Sequence, residues 1–293
     1  MECRYRYQGE ANTDEGYHRN REQYKCQFES LINGWRAALG YKLPFVWVLL
    51  HPWGGLWDGP AAELSAQTLV RLAQADVAAA GLGATGMVAN MDGCQADGGI
   101  GPTCNLHPGY KSAIAARLAK QLVGAAYGGA QPALPAPQKV AAAVAADGQS
   151  ATVTVDVAAA DGLKLTSIHD CGRAAAEPRT LPSSPRCQSA TPEHTRRSPA
   201  DKKIYHGKGC ADTLNSGLVT APVTTSDADC NLLGTVKVAA RQLVASFALK
   251  GQQCGDDTNI TKVQSLWFMP EPIATCVVQN GDGEVMAPFV HDF

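Results

Sequence analysis

"KLPFVWVLLHPW" (Lys42–Trp53) decides how this chain folds. Its six successive apolar residues, Phe45 to Leu50, fall far short of the roughly 20 that span a membrane. They are also too unbroken for a strand with one wet face. A short apolar run bounded by Pro44 and His51-Pro52 predicts a strand buried on both sides, as in a parallel sheet covered by helices. The flanking segments agree. Cys3–Tyr7 reads as a strand before it and Gly86–Met91 as a third strand after it. Between the first two, Phe28, Leu31, Ile32 and Trp35 recur at i, i+3, i+4 and i+7, one face of a helix. Ala61–Ala80 is Ala/Leu-rich and helical, carrying Leu64, Arg71, Leu72 and Gln74. Ile114, Leu118, Leu122 and Ala125 mark a last helix, with Pro108 expected at its first position, which favours proline. Three β-α repeats imply an α/β unit with a parallel sheet and right-handed crossovers.

"GGAQPALPAP" (Gly128–Pro137) changes the composition abruptly and sets the expected organisation: an α/β domain over 1–128, a linker over 129–137 and a second domain over 138–293. Beyond the linker the period becomes that of strands. Thr152–Val157 follows a turn at Asp147-Gly148, Val236–Ala240 and Leu243–Leu249 follow later, and Thr275–Val278 runs into "NGDG" (Asn280–Gly283), a hairpin signal. An all-β sandwich is the expectation here, with a disordered insert near 173–208, where Pro, Ser and Arg crowd out apolar residues.

Charge and cysteines narrow the function classes. The 293 residues carry a formal charge of −2 with both signs interspersed, which argues against a nucleic-acid partner. No run is long and apolar enough to be a membrane span. Ten cysteines without a CxxC pair read as structural disulfides, not as a zinc or redox site, and six of them fall in the β half. Cysteine usage and the sequon Asn259-Ile260-Thr261 point to the secretory pathway, although no signal peptide opens the chain.

Ligands of parallel sheets bind beyond the carboxyl ends of the strands, and polar clusters fall there in succession. Gln8-Gly9-Glu10 follows the first strand, His51-Pro52-Trp53 the second and Asp92 the third, while His107 precedes the last helix. His107 suits a general base, or else a helix-start cap. Gln8 and Asn12 are uncharged donors suited to an oxyanion, and Glu10 to orienting a neighbour or binding substrate hydroxyls. "QGEAN" also reads as a plain strand-to-helix turn. Asp92 is a candidate triad acid or a turn former, and His51 reads as structural. No nucleophile accompanies them. G-x-S-x-G and S-x-x-K are absent, Ser30, Ser65 and Ser112 fall in helical segments, and Cys104 reads as pairing with Cys94.

These blocks resemble the sialate O-acetylesterases, carbohydrate esterases of the SGNH-hydrolase superfamily. The resemblance rests on "YQGEAN" (Tyr7–Asn12), "YKCQFESLINGWR" (Tyr24–Arg36), "VRLAQ" (Val70–Gln74), "NLHPGYKSAIAARLAKQLVGAAYG" (Asn105–Gly128) and the tail from Leu266 to Phe293. It implies an SGNH, flavodoxin-like parallel sheet, here partial, and hydrolysis of O-acetyl esters on sialic acid or related sugars. It implies His107 as the catalytic histidine, Gln8 as an oxyanion donor, Glu10 and Asn12 in the same block, and no metal or organic cofactor. Many superfamily members carry an aspartate three residues before the histidine, where this chain has Cys104. Asp92 or Glu10 as the acid, or a dyad without one, are the alternatives. The family's serine lies in a "GQSNM"-type block upstream of "QGE", which this sequence lacks. The expectation is a truncated chain, inactive alone, with a non-enzymatic carbohydrate-binding protein as the competing reading.

Overall fold

A computed structural model describes residues 4–13, 21–51, 64–92, 111–167, 219–226, 229–249, 254, 258–268 and 276–293. His107, Cys94, Cys104, Pro108 and the segment 173–208 lie outside the described residues. The chain begins with three β-α units: β1 (Arg4–Tyr7), α1 (Arg21–Leu39), β2 (Phe45–Val48), α2 (Ala66–Ala79), β3 (Thr85–Val88) and α3 (Ser112–Tyr127). The strands are parallel in the order β1-β2-β3, with Tyr7 beside Val48 and Val48 beside Val88.

Every residue from Leu43 to His51 is buried, as a strand covered on both faces requires. Phe45, Trp47 and Leu49 pack with Tyr24, Phe28 and Ile32 of α1 and Val70, Ala73 and Val77 of α2. Val48 and Val88 form a separate cluster with Ile114 and Leu118 of α3. The sheet is thus sandwiched between α1 and α2 on one side and α3 on the other. The buried stripe of α1 is Tyr24, Phe28 and Ile32, an i, i+4, i+8 row, with the Phe28 ring edge-on to Trp47. Trp35, expected in that stripe, is 40% exposed and lies under the Arg4 guanidinium. Arg36 ties the amino side of the sheet together, donating to the carbonyls of Leu43, Leu82 and Gly83 in the loops before β2 and β3.

The helix starts differ from those expected. The α2 helix begins at Ala66 because Ser65 caps it, accepting a hydrogen bond from Thr68 N at 3.2 Å. The α3 helix begins at Ser112 and ends on Gly128, which takes the left-handed conformation at φ 72°.

Beyond Gly128 come β4 (Ala136–Val144), β5 (Ser150–Ala158), β6 (Lys164–Ser167), β7 (Val219–Thr225), β8 (Asp229–Ala239), β9 (Gln242–Ala248), β10 (Ile260–Val263), β11 (Ser265–Phe268), β12 (Cys276–Gln279) and β13 (Phe289–Asp292). Where a two-sheet sandwich was expected, one antiparallel sheet runs β13-β11-β7-β8-β9-β5-β4, with β10 also paired to β7. It curls until β10 lies against β4 and β5, so the sheet is nearly closed. Its inner residues include Val153, Val155, Leu232, Leu243, Phe247 and Phe268. The β6 and β12 strands form a separate antiparallel ribbon. A disulfide joins Cys230 of β8 to Cys254, whereas Cys26 on α1 is a free, exposed thiol. No helix among the described residues is long and apolar enough to cross a membrane.

Candidate functional site

At the end of β1 the backbone must turn sharply from strand to a turn of 3-10 helix, Glu10–Thr13. Gly9 makes this possible. Its φ is +143°, and a β-carbon there would sit 3.0 Å from Leu50 Cδ1 and 3.1 Å from both the Tyr24 hydroxyl and Val70 Cγ1. The following turn brings Asn12 back over Gln8, whose Nε2 donates to Asn12 Oδ1 at 2.8 Å. The Gln8 side-chain oxygen, Oε1, accepts from the Arg6 guanidinium. The amide is therefore oriented from both ends, with one N–H spent on Asn12. Glu10 caps its own turn through its backbone, where its carbonyl accepts from Thr13 Oγ1.

A second group of side chains crosses the ends of all three strands. Asn90, just past β3, donates from Nδ2 to the Tyr7 hydroxyl oxygen at 3.1 Å. That oxygen lies 2.7 Å from His51 Nδ1, just past β2. The imidazole tautomer sets which atom of this pair carries the shared proton. Burial, with Glu10 nearby, raises the Tyr7 phenol well above its ordinary range, so it remains a donor. His51 and Asn90 are fully buried, and Asn90 Oδ1 has no hydrogen-bond partner among the described residues. Tyr7 and Asn90 had no place among the expected site residues. Only the register that sets three strand ends side by side reveals them.

The α2 helix closes the floor. Gln74 accepts from Leu50 N at 2.9 Å and donates to the Gln8 carbonyl at 2.9 Å and to the Tyr24 hydroxyl at 3.3 Å. Arg71, one turn away and fully buried, donates to Gln67, and burial pushes its guanidinium down to about 9.

Asp92 belongs to a different arrangement. Its carboxylate receives both terminal nitrogens of Arg117 on α3, at 2.7 and 2.6 Å, and Gln279 Nε2 of β12 at 3.1 Å. Gln279 Oε1 in turn accepts from Thr166 of β6, and Asn280 donates to the Ala133 carbonyl in the linker. This network braces the parallel sheet against the β6–β12 ribbon. Glu284, beside it, is 1% exposed, and among the described residues neither carboxyl oxygen has a hydrogen-bond partner. Burial raises its carboxyl above the usual range, against the pull of Arg117 and Lys120.

The structure thus brings Gln8 and Asn12 together at the sheet's carboxyl edge and places Asp92 in the brace. Among the described residues no serine joins the strand ends. Ser65, in the connection from β2 to α2, spends its hydroxyl on capping α2 and on Thr68 Oγ1 at 2.9 Å. No group of three or more His, Cys, Asp or Glu side chains among the described residues is placed to hold a metal. No protein-family model matches the sequence, and no curated protein matches it.

Proposed function

We propose that this chain carries the oxyanion side of a carbohydrate O-acetylesterase of the sialate O-acetylesterase type, acting on acetylated sialic acid or related sugars. One observation carries the reading. At the carboxyl ends of three adjacent parallel strands lie a braced pair of neutral amides, Gln8 and Asn12, and the Asn90–Tyr7–His51 chain, whose Asn90 Oδ1 is a buried acceptor without a partner among the described residues. Neutral donors held rigid before the reaction are what a developing ester oxyanion needs. An orphaned acceptor beside them suits a sugar hydroxyl.

In such a reaction a serine attacks the acetyl carbonyl while a histidine takes its proton. The histidine then gives it to the leaving sugar oxygen, and water releases acetate. His107 is the proposed base. Gln8, through the N–H it does not share with Asn12, is the proposed oxyanion donor. No serine of this sequence stands in a nucleophile motif, so the chain by itself is expected to bind acetylated sugars without turnover.

The test is calorimetric titration with O-acetylated and de-acetylated sialic acid, alongside an acetate-release assay. The acetylated sugar should bind more tightly, and Gln8→Ala should weaken it roughly tenfold, the value of about one hydrogen bond. Equal binding of both sugars, or none, refutes the proposal. Acetate release abolished by His107→Ala refutes the expected inactivity while upholding the site.

A further inference from the structure

The triplet Asn259-Ile260-Thr261 is the only Asn-x-Ser/Thr sequence in the 293 residues, and the esterase reading makes no use of it. The fold presents it unusually well. Strand alternation at the start of β10 turns Ile260 into the core at 3% exposure and leaves Asn259 and Thr261 on the surface. The backbone of Asn259 is anchored on both sides, its N–H donating to Ser226 Oγ and its carbonyl accepting from Ser226 N. Its side-chain Oδ1 accepts from Gln149 Nε2 at 2.7 Å. Gly148 at the tip of the β4–β5 turn approaches so closely that a β-carbon there would lie 2.9 Å from Asn259 Cβ. With Oδ1 held toward Gln149, Nδ2 is the end of the amide left to solvent. Thr261 Oγ1 is anchored to the Thr224 carbonyl at 3.0 Å.

A second observation bears on compartment. The same β unit carries the Cys230–Cys254 disulfide, a bond that persists where the surroundings are oxidising, as they are where N-linked glycans are added.

We propose that Asn259 is an N-glycosylation site. Its Nδ2 forms a bond to the anomeric carbon of a sugar delivered on a lipid-linked diphosphate. The bond from that carbon to the diphosphate oxygen breaks, its electron pair leaving with the diphosphate, and Nδ2 gives up one proton. The placement makes the glycan compatible with a working strand-end site. The nine-residue β4 separates Ala136, at the linker, from the turn that carries Gly148, roughly 30 Å at 3.3 Å per residue. A glycan here would also screen β10, which among the described residues pairs only with β7.

The experiment is secretion of the full chain from eukaryotic cells behind a cleavable signal, followed by intact mass and peptide mapping before and after peptide-N-glycosidase F. The expected result is one glycan, removed by the enzyme with conversion of Asn259 to aspartate. It should be lost in Asn259→Gln and Thr261→Ala and kept in Thr261→Ser. Secreted protein with an unmodified Asn259 peptide overturns the proposal, as does a glycan that survives Thr261→Ala. The readout does not depend on acetyl-ester chemistry, so it stands or falls separately from the esterase reading.

Discussion

Replacing Asp92 by alanine separates a brace from a catalytic acid. The Asp92 and Arg117 side chains are only 11% and 14% exposed, and their two contacts of 2.6 and 2.7 Å are reinforced by Gln279 at 3.1 Å. Removing the carboxylate takes one charged acceptor from a mostly buried guanidinium and from the Gln279 amide. Breaking one side of a buried pair costs about 3–5 kcal/mol, and the residual exposure here places the loss at the lower end, about 3 kcal/mol. At about 2–4 °C per kcal/mol for a chain of this size, Asp92→Ala should melt roughly 6–12 °C lower by calorimetry. The pair itself is isolated by a double-mutant cycle with Arg117→Met, read from urea midpoints at constant m. Once Arg117 is gone, losing Asp92 should cost about 2 kcal/mol less than it does in the intact protein. A coupling energy below about 0.5 kcal/mol refutes the brace. So does an Asp92→Ala protein that melts like the parent, which is what removal of a solvent-facing catalytic acid would give.

Three further outcomes follow from the same geometry. Burial lifts the Glu284 carboxyl, so the folded state holds its proton at pH values where the unfolded chain, titrating near 4.3, has lost it. The Glu284 contribution is therefore unfavourable at neutral pH and is relieved as pH falls through the folded value. Glu284→Gln should stabilise the protein by roughly 1 kcal/mol at pH 7, with the gain vanishing below the unfolded value; a gain that grows on acidification contradicts this. Gly9→Ala should cost about 2 kcal/mol, since it combines a positive φ with three close approaches, whereas Gly34→Ala, with nothing near its β-carbon in α1, should gain up to about 1 kcal/mol. Equal urea midpoints for the two would show that the strand-end turn is not constrained. Cys230→Ser/Cys254→Ser should lose about 3.5 kcal/mol, the loop-closure value for a separation of 24 residues, and dithiothreitol should lower the melting temperature of the parent more than that of the variant.

The elements most legible in the sequence were those in which one physical demand ruled every position. Phe45–Leu50 is one, because a strand covered on both faces admits nothing polar. β5 and β9 are others, alternating as a half-buried strand must. The β4 strand was hidden. Its Lys139-Val-Ala-Ala-Ala-Val run shows no alternation because it is the outermost strand of the path, mostly exposed, and it opens with a bulge at Pro137 inside the expected linker. Closure of the sheet was equally hidden, since β10 and β11 share the edge of β7, a pairing no local pattern encodes. At the strand ends, Gln8 and Asn12 were legible because four residues and a glycine join them. The partner of Asp92 on β12 stands 187 residues away, and nothing near Asp92 announces it.

Gln74 acts as a spacer as well as a fastener. In a parallel ladder each strand bonds at every second residue. The bond from Arg4 N to the Pro44 carbonyl, carried forward in register, would bring Leu50 N directly onto the Gln8 carbonyl. Instead the Gln74 amide occupies that rung, accepting from one strand and donating to the other. The first two strands are thereby parted by the width of one amide at the very point where the polar cluster begins. The opening between them is gauged by a helix and not by the sheet. A shift of α2 along its axis would carry the gap with it, making the packing of that helix the ruler of what can enter.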